Sequence, residues 1–173
     1  MADYLLVFSG TLLAVVFLTS SVGKILHYSS FTDSVRNMQL LPLGAVPSVA
    51  LLIITAELVT VLSIVLGLMT SSTLLVYAFA LPAALCVVFN AAIITVIRRG
   101  SSVACNCFGR QASEFSTRHV VRNTLLAVAA VVGMLSADVG LGPWTAGTGI
   151  TIVAGLVLSF LVVLMDDLAD LFA

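Results

Sequence analysis

Five apolar runs, each long enough to cross a bilayer, leave this chain few folds to choose from. They cover residues 4–26, 45–69, 73–97, 119–137 and 146–165. A helix rises ~1.5 Å per residue and satisfies its own backbone, so about 20 apolar residues span the hydrocarbon core. A membrane β-barrel would instead need segments of about ten residues with alternating polarity, and the sequence has none. The expected fold is an all-α membrane protein, a bundle of five transmembrane helices forming one domain over 1–173. Charge agrees with this. Only 9% of the 173 residues are charged and 61% are hydrophobic, whereas soluble domains carry about 25% and 45–50%. Seven Lys+Arg against eight Asp+Glu leave no basic excess for nucleic acid. The first partner implied is the lipid bilayer.

The interruptions set the topology. They are a polar stretch at 27–37, a very short break at 70–72, a long loop at 98–118 and a Gly/Pro-containing turn at 138–143. Nothing basic precedes the first run, which is also too long for a signal peptide's apolar region, so it is expected to remain as an anchor. Lys24 and Arg36 fall in or beside the first loop, and Arg98, Arg99, Arg110, Arg118 and Arg122 in or beside the third. Five crossings place all seven on one face. The positive-inside rule makes that face cytoplasmic, with the N-terminus outside and Asp166, Asp167 and Asp170 inside. Small residues four apart, Ser63 and Gly67, Ala80 and Ala84, Ala129 and Gly133, would permit close helix contacts.

Ionisable groups within membrane helices are costly, which makes each a candidate for function. Glu57 lies near the middle of the second run. It serves either as a functional group or as a structural one, protonated or paired with Lys24 or Arg122. Lys24 and His27 end the first helix, where snorkelling alone would account for them. Asn90 reads as an interhelical hydrogen-bond donor. By depth, Glu57, Cys86, Asn90 and Arg122 are expected to line one cavity on the third-loop side, with Asn123 beside Arg122. His119 reads as an interface residue. Two His without clustered carboxylates make no credible metal site.

The densest chemistry is Cys105-Asn106-Cys107-Phe108-Gly109 in the third loop. Two cysteines one residue apart close only a small, strained disulfide ring, and strained disulfides are the labile, redox-active ones. Arg98, Arg99 and Arg110 nearby would favour the thiolate, which is the nucleophile. Zinc would need four ligands, and the pair supplies two. Inert loop cysteines are the plain alternative. Cys86, alone in the third helix, reads as a small hydrophobe or as a buried exchange partner for the loop pair.

The Cys105-Asn106-Cys107-Phe108-Gly109 run followed by Arg122-Asn123 resembles the methylamine-utilisation MauE family. Ser21-Val22-Gly23-Lys24, Phe31, Pro42 and Glu57 are similar to the wider DoxX-like superfamily. The resemblance covers roughly 1–136. It implies a four-helix DoxX-like core with a C-terminal fifth helix added, in a bacterial cytoplasmic membrane. It implies Cys105 and Cys107 as a redox pair above a polar core of Lys24, Glu57, Arg122 and Asn123, working with a thioredoxin-like partner. In this family such chemistry is linked to maturation of a disulfide-rich dehydrogenase subunit. The functional expectation is a membrane thiol–disulfide redox protein or an accessory to one. Its alternatives are a non-catalytic assembly subunit of a larger membrane complex and a quinone-coupled oxidoreductase. Beyond the disulfide no cofactor is required, and a quinone is the optional one.

Overall fold

The computed structural model describes residues 1–70, 72–99, 104–105, 113–114, 117–139 and 145–165. Each apolar run forms a helix. These are α1 (Ala2–Leu26), α3 (Val46–Thr70), α4 (Ser72–Arg98), α5 (Thr117–Ser136) and α6 (Ala146–Val163). All five are long and apolar enough to cross a membrane, so the chain is a multi-pass membrane protein. Large apolar side chains such as Leu62, Val87, Leu125 and Phe160 stand exposed on their outer faces. In lipid such faces carry no penalty, because the solvent there is itself apolar.

The polar stretch after α1 holds a sixth helix that hydropathy does not reveal, α2 (Tyr28–Asn37). Its ten residues are too few and too polar to span. They are amphipathic: Phe31, Ser34 and Val35 are buried on one face, while an Asp33–Arg36 pair at 2.9 Å lies exposed on the other. That buried face packs on Val46, Ala50 and Ile54 of α3. Between the two helices Gln39 adopts a positive φ of 51°. The chain then extends through Pro42 into a single 3-10 turn, Leu43–Ala45. In the third loop, β1 (Ala104–Cys105) pairs antiparallel with β2 (Ser113–Glu114), Cys105 opposite Ser113. β1 lies against α2.

The helices close a four-membered ring in which α1 meets α3, α3 meets α4, α4 meets α5, and α5 returns to α1. Helix α6 stands outside it and packs on α1. There Gly155 admits the close approach, since a Cβ would meet Thr11 at 3.0 Å and the Phe8 carbonyl at 3.3 Å. Buried in the same contact, Ser159 Oγ donates to the Gly155 carbonyl at 2.6 Å and lies 3.4 Å from the Leu12 carbonyl of α1. The four-plus-one arrangement is the one the family resemblance implies.

One end of the ring is filled and the other is not. Leu6, Leu13, Ile64, Leu75, Phe79 and Ala130 form a solid apolar cluster toward the α3–α4 connection. Gly133 makes that closure possible, because any Cβ there would overlap the Phe79 ring. Of the small residues read from the sequence, Gly67 and Gly133 are buried at such contacts, whereas Ala84 faces outward.

Candidate functional site: a buried polar cavity

At the other end the four helices and α2 enclose a cavity of about 270 Å³. Its walls are largely apolar, but they gather six of the residues the sequence singles out, with Ser20 beside them. Ser20 and Lys24 enter from α1, Glu57 from α3, Cys86 from α4, and His119, Arg122 and Asn123 from α5. Each of these seven is buried. On α5 the spacing explains the convergence. His119, Arg122, Asn123 and Leu126 fall at i, i+3, i+4 and i+7, which is one face of a helix.

Lys24 is the central group. It does not snorkel, as its place at the end of α1 suggests it should; it is only 1% exposed. Its ammonium lies 2.5 Å from Glu57 Oε1 and 2.6 Å from Ser20 Oγ. Ser20 Oγ in turn donates to Glu57 Oε1 at 3.2 Å. Phe31 of α2 and Phe89 of α4 present their rings to the same nitrogen, at 5.4 and 5.6 Å from the ring centres. Aromatic faces attract a cation strongly when water is absent. Helix α2 is what keeps Lys24 in, because its buried Phe31 and Val35 line the cavity above the ammonium.

Glu57, 1% exposed, takes the pairing with Lys24 rather than Arg122. Removing a charge from water is expensive, and an opposite charge in contact offsets that only when hydrogen bonds complete the geometry. Oε1 has two donors. Oε2 is buried and has no hydrogen-bond partner among the described residues.

Other expected site residues are placed as follows. Cys86 is buried at 1% exposure and lines the cavity. Asn90 does not. Its Nδ2 donates to Thr124 Oγ1 at 3.1 Å, the interhelical role read from sequence, and the cavity side of α4 is instead Cys86, Phe89 and Ile93. Four residues turn a helix by about 40° beyond a full revolution, which carries Asn90 from Cys86 toward α5. His119, in the first turn of α5, is buried in the cavity wall. Arg98 and Arg99 are exposed at the end of α4. Arg99 reaches the Gln39 carbonyl at 3.4 Å, tying α4 to the α2–α3 connection. Cys105 ends β1, while Cys107 and Arg110 lie outside the described residues, as do Asp166, Asp167 and Asp170. Among the described residues no group of three metal-ligating side chains occurs.

The sequence reading missed Ser20, His119 and Phe31 as cavity residues. Two of them carried a signal, for Ser20 lies one turn before Lys24 and His119 one turn before Asn123.

No curated protein and no solved structure matches the chain. The family model described as methylamine utilisation protein MauE matches residues 2–136. That stretch runs from the start of α1 to the end of α5 and so contains the whole ring, α2 and every residue that lines the cavity. On this match the chain belongs to the MauE family.

Proposed function

We propose that the protein is a membrane thiol–disulfide redox protein that exchanges disulfides with a thioredoxin-like partner through Cys105 and Cys107. In the oxidising direction, a partner thiolate attacks one sulfur of a Cys105–Cys107 disulfide. This forms a mixed disulfide and releases the other cysteine as a thiolate. The partner's second thiolate then attacks the mixed disulfide and leaves as the oxidised partner, with both loop cysteines reduced. Two electrons have entered the loop. Exposed Arg98 and Arg99 at the end of α4 favour the thiolate state of nearby cysteines.

The observation that carries this reading is the position of β1. The strand that ends at Cys105 lies against α2, the helix whose Phe31 and Val35 line the polar cavity. The Cys-Asn-Cys run thus begins beside the roof of the part of the molecule where buried charge is concentrated, inside the family-matched segment. The membrane is that of a bacterium, its cytoplasmic one, with the N-terminus outside. Lys24, Arg36, Arg98, Arg99, Arg118 and Arg122 all belong to the loop end of the ring, which supports a cytoplasmic loop face.

Trapping tests the chemistry. Cys105→Ser or Cys107→Ser is expected to accumulate a mixed disulfide with a thioredoxin-fold protein, visible on non-reducing gels and absent from the double variant. Failure of both single variants to trap any partner, with full activity in the double variant, defeats the proposal. Labelling of reduced loop cysteines by a membrane-impermeant reagent in intact cells would reverse the sidedness.

A further inference from the structure

The cavity is larger than its polar residues need, and its shape and chemistry select a particular class of ligand. Its lining includes Val88 as well as the buried Lys24 and Glu57, and Val88 is 61% exposed. An exposed apolar residue on a spanning helix faces lipid. The cavity therefore communicates with the bilayer, and its ligand arrives as a membrane-soluble molecule. At about 270 Å³ it falls just below the range of pockets that engulf whole drug-sized ligands, roughly 300–1,000 Å³. It suits a head group whose tail remains in lipid.

The polar wall defines that head group further. Lys24 Nζ has three protons and donates to only two oxygens among the described residues, Ser20 Oγ and Glu57 Oε1. Glu57 Oε2 is a buried acceptor with no donor there. A ligand oxygen between them meets a donor in Lys24 and an acceptor in Glu57 Oε2. An anionic head, such as a fatty-acid carboxylate or lipid phosphate, would be set against the free carboxylate oxygen. A neutral oxygen that accepts in one oxidation state and donates in the other satisfies both groups in turn. Phe31 and Phe89 add flat apolar faces beside the same point.

We propose that this cavity binds the ring of a membrane-soluble quinone. The carbonyl of the oxidised ring accepts from Lys24, and the hydroxyl of the quinol donates to Glu57 Oε2. The binding stands on the cavity alone; its use as an electron acceptor rests on the thiol reading above. In that use the Cys105 and Cys107 thiols lose two electrons and two protons and form one S–S bond. The quinone gains both pairs and becomes the quinol, which regenerates the loop disulfide for the next partner.

The test is binding of a decyl-tailed benzoquinone, and separately of a naphthoquinone, to the full chain in detergent micelles. Saturable retention of either at about one per chain, above empty micelles, is expected. Val88→Trp narrows the lipid-side opening without touching the buried pair and is expected to weaken retention at least about tenfold. Lys24→Met/Glu57→Leu removes both hydrogen-bonding groups without leaving a buried charge unpaired, and is expected to weaken retention about tenfold or more. The Cys105→Ser/Cys107→Ser chain is expected to bind as the wild type does, which separates this proposal from the thiol one. Retention no greater than in empty micelles overturns the proposal. So does binding that Val88→Trp leaves unchanged, or displacement of the quinone by equimolar palmitate.

Discussion

The two ends of the four-helix ring use the same helices to opposite effect. Toward the α3–α4 connection, Gly133 lets α5 close onto Phe79 and the interior is solid. Toward the third loop, Lys24, Glu57, His119 and Arg122 occupy the corresponding interior positions and a cavity remains. The difference lies in what each side chain requires. Apolar groups are satisfied by any neighbour of the right shape, so a small residue brings the backbones together. Charged groups require particular partners at particular distances, so they do not fill space by shape alone. The packed end is closed by shape alone, and the polar end gathers paired charges around a cavity.

The polar end breaks most severely when its pairing is cut. Glu57→Ala leaves Lys24 buried without its counter-ion and is expected to destabilise the protein by about 3–5 kcal/mol, measured as thermal unfolding in detergent. Lys24→Met/Glu57→Leu should recover most of that loss, because no uncompensated charge remains. A double variant as unstable as the single one would show that the pair is not coupled. At the packed end, Gly133→Ala forces the Phe79 ring to move and is expected to cost about 1–3 kcal/mol. Phe79→Leu in the same chain should relieve part of it. If Gly133→Ala melts like the wild type, the contact between α4 and α5 is looser than the geometry requires. Asn90→Ala gives the smallest effect, about 0.6 kcal/mol, the average for a hydrogen bond between membrane helices. It should leave quinone retention unchanged, because Asn90 faces Thr124 rather than the cavity. A loss of binding would place Asn90 in the site after all.

The spanning helices were legible because length and hydropathy alone define them, and their observed limits fall within a few residues of those expected. Depth was legible as well: counting along helices brought Glu57, Cys86 and Arg122 to related levels, and all three line the cavity. Azimuth was not. Asn90 shares that region of α4 but is turned toward α5, and nothing in a uniformly apolar helix marks which side faces in. Helix α2 escaped for a different reason. Its amphipathic pattern rests on little more than Phe31 and Val35, one turn apart, too short a signal to separate from a polar loop. Missing α2 also misplaced Lys24, because without that cover a lysine at the end of α1 has an easy route to water. The family resemblance supplied the grouping of Lys24, Glu57, Arg122 and Asn123, which spacing along one chain could not.

The Lys24–Glu57 pair also bears on how the protein enters its membrane. The two charges ride on different helices, and each has to be accommodated before the other is at hand. Lys24 lies in the last turn of α1 and can extend its ammonium to the interface while α1 is alone in lipid. Glu57 lies eleven residues into α3 and has no such exit; an acidic side chain at that depth costs about 2.5–3.5 kcal/mol on translocon-insertion scales. The energetically easy order of biogenesis is therefore sequential. If α1 enters first with its lysine at the surface, α3 can bring its carboxylate to a cation already at hand. In the folded protein Phe31 and Val35 of α2 then separate that lysine from water.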